Sequence, residues 1–182
     1  QLTCNICNHI NYGSVSAETL FITPDEAVSE ITPTSLLIIV DTHNQDIVES
    51  PELYRKAKQV VVIDHHRKMT NYIENAVIFH HEPYASSASE MVTELVQYFG
   101  DAGKLSQYSA EALLSGIMLD TKSFVMRTGV RTFEAAAYLR KMGADTVAVR
   151  SLFANSMESY HEKTKLVASA EVYERCAIAT ND

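Results

Sequence analysis

The sequence predicts an α/β protein: a doubly wound, mostly parallel sheet flanked by helices, with a helical C-terminal half. Three observations carry that expectation. Leu36-Leu37-Ile38-Ile39-Val40 and Val60-Val61-Val62-Ile63 are short, apolar and mostly β-branched, as strands buried on both faces are. Helix-start signals lie between them, giving strand, helix and strand within roughly thirty residues, the span of a βαβ unit. Each run also ends abruptly in polar residues, Asp41-Thr42-His43-Asn44 after the first and Asp64-His65-His66-Arg67 after the second. Ligand sites in open α/β sheets form just beyond the carboxyl ends of the strands, so these polar ends mark the place for a bound ion or phosphate.

Residues 1–18 show little periodicity and predict no element. Thr23-Pro24-Asp25-Glu26 is a capping box with proline at the first helical position, opening a short helix to Glu30. Thr32-Pro33-Thr34 then turns the chain into the strand Ser35–Val40. Ser50-Pro51-Glu52 repeats the cap and proline and starts a helix ending near Lys58, its acidic start and basic end suiting the helix dipole. The strand from Gln59 follows as a parallel neighbour of the first, joined by a right-handed crossover. Asn75–His80 reads as a third strand. Ser87-Ala88-Ser89-Glu90 is another capping box, and Met91, Val92, Leu95, Val96 and Phe99 form the apolar face of the helix it starts, closed by Gly100. Helices over Ser109–Leu119, Thr132–Met142 with Gly143 as its C-cap, Asp145–Phe153 and Ser156–Glu171 fill the C-terminal half. Arg175–Thr180 reads as a last strand with nothing to pair it. The expected division is one subdomain over 1–155, then a linker helix and the start of a further domain over 156–182.

The 182 residues are 46% hydrophobic and 21% charged, an ordinary globular composition with enough apolar mass for a substantial core. A net charge of −8 argues against non-specific binding of long nucleic acid, which needs a basic surface. A small anion remains admissible, because a bound divalent metal reverses the sign locally. No apolar run approaches the ~18 residues of a membrane span, and the amino terminus lacks a signal-peptide pattern. Cys4 and Cys7 have C-x-x-C spacing with His9 close by, but no fourth zinc ligand follows; with Cys176 they read as reduced thiols of a cytoplasmic protein.

Asp41, His65 and Asp120 are the candidate metal ligands. The first two close neighbouring strands, and Asp120 ends an apolar helical run that would bury it, where a carboxylate needs a partner. Carboxylates with imidazole suit Mn²⁺ or Mg²⁺ better than a thiolate metal. His66 and Arg67 can donate to phosphate oxygens, and Arg127 and Arg131 offer a second cationic group, although a solvated turn residue describes Arg127 equally well. His43 and Asn44 are placed to orient Asp41 or to touch substrate. His80 and His81, adjacent on a strand, face opposite sides and should not share an ion. His161 reads as an exposed helical residue. Ser86, Ser87 and Glu90 serve a helix amino terminus, which can also hold an anion, with capping the simpler assignment.

Val62-Ile63-Asp64-His65-His66-Arg67 resembles the signature of the DHH phosphoesterases, a family that includes RecJ nucleases, oligoribonucleases, manganese pyrophosphatases and cyclic-di-AMP phosphodiesterases. Asp41-Thr42-His43, Glu82-Pro83-Tyr84-Ala85-Ser86-Ser87, and Leu119-Asp120-Thr121-Lys122-Ser123-Phe124 followed by Arg127-Thr128-Gly129 are similar to its GdpP (YybT) branch. The likeness runs from about Leu20 to Thr180. It implies hydrolysis of cyclic-di-AMP to pApA at a two-manganese site, with Asp41 bridging the metals and His65 and Asp120 as ligands. His66 would face the scissile phosphate, Asp64 would orient a histidine, and Arg67, Arg127 and His43 would bind substrate. The family's first metal motif, His-x-x-x-Asp-x-Asp, is expected before residue 1, its C-terminal domain from near Arg175, and amino-terminal membrane helices further upstream. The resemblance therefore implies a truncated catalytic subdomain with half the metal ligands and impaired turnover, from a protein anchored at the cytoplasmic face of a membrane. Its partner would be a cyclic dinucleotide rather than long nucleic acid, with no membrane contact of its own and a homodimer left open. Two other readings stand beside this one: a nanoRNase or pAp phosphatase of the same superfamily, and a catalytically silent nucleotide-binding or scaffold module.

Overall fold

Three parallel strands, β1 (Leu36–Val40), β2 (Gln59–Asp64) and β3 (Ile78–His81), form a sheet in the order β1-β2-β3 in the computed structural model, which describes residues 21–99, 105–154 and 157–180. The chain divides into two compact units, Gln1–Leu152 and Phe153–Asp182. In the sheet of the first unit, Val40 lies opposite Ile63 and Asp64 opposite His81, so all three strands deliver their carboxyl ends to one edge.

The central strand is the unbroken apolar run because both its faces are covered. On one face, Val60 and Val62 join Ile39, Ala57 and Ile73, with Ile31 and Tyr54 packed around them. Ile31 caps α1 (Pro24–Glu30), and Tyr54 lies on α2 (Pro51–Lys56). On the other face, Val61 and Ile63 meet Ala85 and Met91, the latter on α3 (Ala88–Val96). Helices cover both faces of β2 in a sheet of three strands among the described residues, but Leu36, Ile38 and Val40 on β1 are about half exposed, so the expected burial on both faces holds for β2 and not for β1.

The helices start where local chemistry dictates. Thr23 accepts the Glu26 N–H at 3.3 Å while Glu26 accepts the Thr23 N–H at 2.7 Å, closing the capping box. Ser50 and Ser87 accept from the N–H groups of Leu53 and Glu90 in the same way. Three helices follow: α4 (Gln107–Asp120), α5 (Val130–Lys141) and α6 (Thr146–Ser151). Ser106 caps α4, which starts at Gln107, two residues ahead of the expected start, its hydroxyl accepting from Ser109 N–H. Gly116 marks where α4 meets α3: a Cβ there would stand 2.0 Å from Ser89 Oγ. Gly143, at φ +101°, follows the C-cap of α5 in the left-handed conformation.

β3 begins at Ile78 rather than Asn75 and runs to His81. The preceding residues are held elsewhere: Ile73 N–H donates to His43 O, and the Tyr54 hydroxyl donates to Asn75 Oδ1.

The second unit corrects the expectation of a long helix and an unpaired strand. Its helix, α7 (Met157–Ala168), stops short of Glu171, and β4 (Glu171–Tyr173) pairs antiparallel with β5 (Cys176–Ile178). Glu171-Val172-Tyr173 alternates polar and apolar side chains, which suits a hairpin as well as a helix end, and the hairpin prevails. No helix among the described residues is long and apolar enough to cross a membrane. Cys4, Cys7 and His9 lie outside the described residues.

Candidate metal centre

An apolar strand can end inside the protein only if the first charged residue is satisfied there, and Asp64 is fully buried. Its Oδ1 accepts the backbone N–H of His65 at 2.9 Å, that of His66 at 3.3 Å, and His66 Nδ1–H at 2.7 Å. Its Oδ2 accepts from His43 Nδ1. Burial pushes the carboxyl pKa up, but the hydrogen bonds from His43 and His66 outweigh it and hold Asp64 below the ordinary carboxylate range. An ionised, buried Asp64 thus caps the turn that presents both imidazoles.

His65 is buried, and its Nδ1 donates to Ala85 O at 3.4 Å. That bond leaves Nε2 facing two carboxylates, Asp41 Oδ1 at 3.3 Å and Asp120 Oδ2 at 3.5 Å. Asp41 reaches this point because its N–H donates to Ile63 O, extending the β1–β2 ladder by one residue before the chain bends at φ 63°. Asp120 reaches it as the last residue of α4. The electrostatics are those of a site crowded with like charge. The bond to Asp41 is the main cause of a raised His65 pKa, against burial, and the charges of Asp120 and Asp41 add to it. Asp120 is not buried as its apolar helix suggested but stays partly exposed; partial desolvation and the charge of Asp41 raise it, with His65, His66 and Arg127 opposing. Asp41, His65 and His66 offer ligand atoms all within 4.8 Å of one another, a donor set that fits a divalent cation, while Asp120 joins that group only through its approach to His65 Nε2.

The other sequence candidates divide into those at this edge and those behind it. His66 is half-exposed, and Arg67 is exposed without a protein partner among the described residues. Arg127 is exposed and close enough to Asp120 to lower its pKa. The segment between Asp120 and Arg127 is strained: Lys122, Ser123, Phe124 and Arg127 all have positive φ. Buried Thr121 anchors it, donating to Ile117 O at 2.7 Å and accepting Phe124 N–H at 2.9 Å.

His43 does not orient Asp41 and has no surface to offer a substrate. Its side chain is 2% exposed and points inward, because the loop after β1 folds against the loop after β2. Arg131 also turns away, its guanidinium forked onto Glu94 at 2.8 and 2.6 Å and bound to Glu82 at 2.6 Å. His80 and His81 part as expected: His80 approaches Glu82, while His81 Nε2 donates to His66 O at 2.6 Å. Ser87 caps α3, and Ser86 donates to Glu90, all three buried. His161 is exposed on α7. The sequence gives no signal for His81, which joins His43 and Asp64 only through the β2–β3 register. That second cluster offers no lone pair from His43, whose Nε2 already accepts Met69 N–H and whose Nδ1–H is given to Asp64.

Residues 3–117 match the profile described as DHH family, N-terminal domain. The cyclic-di-AMP phosphodiesterase GdpP of Geobacillus thermodenitrificans is 49% identical over 162 residues, covering 88% of this chain and 25% of that protein. The cyclic-di-AMP phosphodiesterase PdeA of Listeria monocytogenes is 45% identical over 160 residues, covering 87% and 24%. The chain therefore spans about a quarter of the length of these relatives. Among solved structures, an exopolyphosphatase-related protein from Bacteroides fragilis matches with a TM-score of 0.73 over 82% of this chain and 45% of that one, a likeness of fold at 21% identity.

Proposed function

This chain belongs to the DHH family, and from that premise we propose that it carries part of the catalytic centre of a manganese-dependent phosphodiesterase that opens cyclic-di-AMP to pApA. One observation supports the reading above the others: Asp41, His65 and Asp120, from two strand ends and a helix end, meet around a single imidazole nitrogen. In this reading Asp41, His65 and Asp120 would hold the manganese. Bound manganese would supply a hydroxide at neutral pH and neutralise charge gathering on the phosphate.

The chain's own residues do the rest. Asp64 accepts His66 Nδ1–H and so sets the ring plane, leaving Nε2 as the group for the scissile phosphate. Arg67 and Arg127 offer guanidinium donors to the phosphate oxygens. These local cations matter because a protein of net charge −8 otherwise repels a dianionic ligand. The names of the two relatives support the choice of substrate, and their length supports a longer enzyme of which these residues are one part.

The test is a panel of cyclic-di-AMP, pApA, pAp and pyrophosphate with Mn²⁺, run on the 182-residue chain and on a chain of the relatives' length that contains it. Cyclic-di-AMP should be cleaved to pApA only with Mn²⁺, slowly by the short chain, and not after Asp120→Ala. Faster cleavage of pAp or pyrophosphate would overturn the substrate assignment. Cleavage indifferent to Mn²⁺ would overturn the metal centre, and full activity in the short chain would overturn its dependence on further sequence.

A further inference from the structure

His43 lies behind the metal centre, and its two ring contacts define its chemical state. Nε2 is 2.9 Å from the backbone nitrogen of Met69, and an amide N–H can only donate, so Nε2 is the acceptor. A neutral imidazole accepting at Nε2 carries its proton on Nδ1, and Nδ1 faces Asp64 Oδ2. The other oxygen of the same carboxylate holds His66 Nδ1 at 2.7 Å. Met69 N–H, His43, Asp64 and His66 therefore form one continuous line that passes through buried His43 and Asp64 to the exposed imidazole.

We infer that His43 is a positioning residue of the phosphodiesterase centre: a neutral imidazole held in a single tautomer, which fixes Asp64 and through it the ring of His66. The inference rests on the reading of His66 as the group facing the scissile phosphate. The surroundings of His43 are built for such a role. Its carbonyl accepts Ile73 N–H at 2.9 Å, Asn44 pairs with Tyr72, and Gln45 N–H donates to Asn71 O at 3.1 Å. These bonds zip the loop after β1 to the loop after β2, with His43 joining the two through both backbone and side chain. The rings of His81 and Phe79 stand edge-on to it, with centroids 5.1 and 6.3 Å away, and fix its plane. A residue that only filled space would need neither a defined tautomer nor a carboxylate shared with the exposed imidazole.

Two substitutions separate the two ends of the ring. His43→Asn keeps a side-chain N–H near the place of Nδ1 and gives up the acceptor for Met69. His43→Gln keeps an acceptor near the place of Nε2 and withdraws the donor from Asp64. Imidazole ¹⁵N spectra of the metal-free chain at neutral pH should show His43 protonated at Nδ1 alone and His66 carrying a proton on Nδ1. His43→Gln should release His66 into a mixture of tautomers, and His43→Asn should preserve its Nδ1–H. With cyclic-di-AMP and Mn²⁺ in a chain of the relatives' length, His43→Gln should lower kcat by about 10–100-fold, the usual effect of removing a group that orients a metal-site residue, while KM stays within about twofold. His43→Asn should recover most of that loss. A His43 protonated at Nε2 in the unsubstituted chain overturns the inference without any variant. So does a His66 spectrum indifferent to His43→Gln, or an equal kcat loss in both variants. The spectra need neither substrate nor metal, so correct tautomers without hydrolysis would count against the proposed activity and not against this inference.

Discussion

Replacing Asp41 by Asn tests the metal centre with little disturbance of the fold. Asp41 holds φ 63°, a left-handed conformation that Asn adopts about as readily as Asp and that costs other side chains about 1–2 kcal/mol. Asn therefore removes the charge without adding strain, which Ala would not. The Asp41 side chain is 58% exposed, so water screens its ion pair with His65. Without metal, the stability change should stay within about 0.5 kcal/mol, or about 2 °C for a domain of this size.

With metal the expectation reverses. A ligand that binds only the native state adds about 2.7 kcal/mol at a hundredfold excess over its Kd. At about 2–4 °C per kcal/mol, the unsubstituted chain should melt roughly 5–11 °C higher in saturating Mn²⁺. Removing one of the two carboxylates that face His65 Nε2 should weaken binding at least about tenfold, which at the same free Mn²⁺ leaves about 1.4 kcal/mol and roughly 3–6 °C. The assay is thermal unfolding followed by circular dichroism across a Mn²⁺ series, with chelator as the zero point. An equal rise in both proteins would show that manganese binds elsewhere, and no rise in either at millimolar Mn²⁺ would show that these residues alone do not hold manganese.

Two other expectations come from the same geometry. The His65 pKa is raised in the fold above the ordinary imidazole value of about 6.5, so its contribution is complete below that pH and is lost as pH rises through the folded value; Asp120, raised chiefly by burial, acts in the same direction at lower pH. Urea unfolding of the metal-free chain should give lower stability at pH 8 than at pH 6, while Mn²⁺ affinity, which requires a deprotonated Nε2, rises over that interval. Gly116→Ala should destabilise by about 1–3 kcal/mol, because its Cβ would lie 2.0 Å from Ser89 Oγ and 2.9 Å from Ser89 Cβ. Rotating the hydroxyl relieves only the first clash, so pairing Gly116→Ala with Ser89→Gly should restore most of the lost melting temperature, and a double variant no better than the single would refute that account.

The parts of this fold legible in the sequence are those decided within a few residues or by a shared register. The caps at Thr23, Ser50 and Ser87 needed only the next three residues. β1 and β2 announced themselves by lacking any polar alternation, and their parallel register carries Asp41 and His65 to one edge. Glu171-Val172-Tyr173 was ambiguous because a three-residue strand is too short for periodicity to separate it from a helix end. His43 departs from its expected place for a different reason. Its position two residues past a strand end fixes where its backbone lies but not which way the ring turns, and Met69, which accounts for its Nε2, is brought there by the pairing of two loops. Arg131 could have belonged to the site on sequence alone, and only the placement of Glu82 and Glu94 claims it for the scaffold.

The two aspartates that end β1 and β2 now make a paired experiment, because the same chemical change should fail in different places. Asp64 faces four donors: two backbone N–H groups and His66 Nδ1–H on one oxygen, and His43 Nδ1–H on the other. Asp64→Asn keeps one oxygen and puts an amide N–H₂ where the other stood, so a donor would meet a donor. His43 can escape by moving its proton to Nε2, but Met69 N–H then loses its acceptor. Either a buried donor meets a donor or the part-buried Met69 N–H loses its acceptor, at a cost of about 1–3 kcal/mol and roughly 2–12 °C with or without metal. Asp41→Asn, by contrast, should be almost silent without manganese and visible only with it. If both variants melt like the unsubstituted chain in chelator, Asp64 is not the internal cap of its turn, and the line from Met69 to His66 loses the buried carboxylate on which it depends.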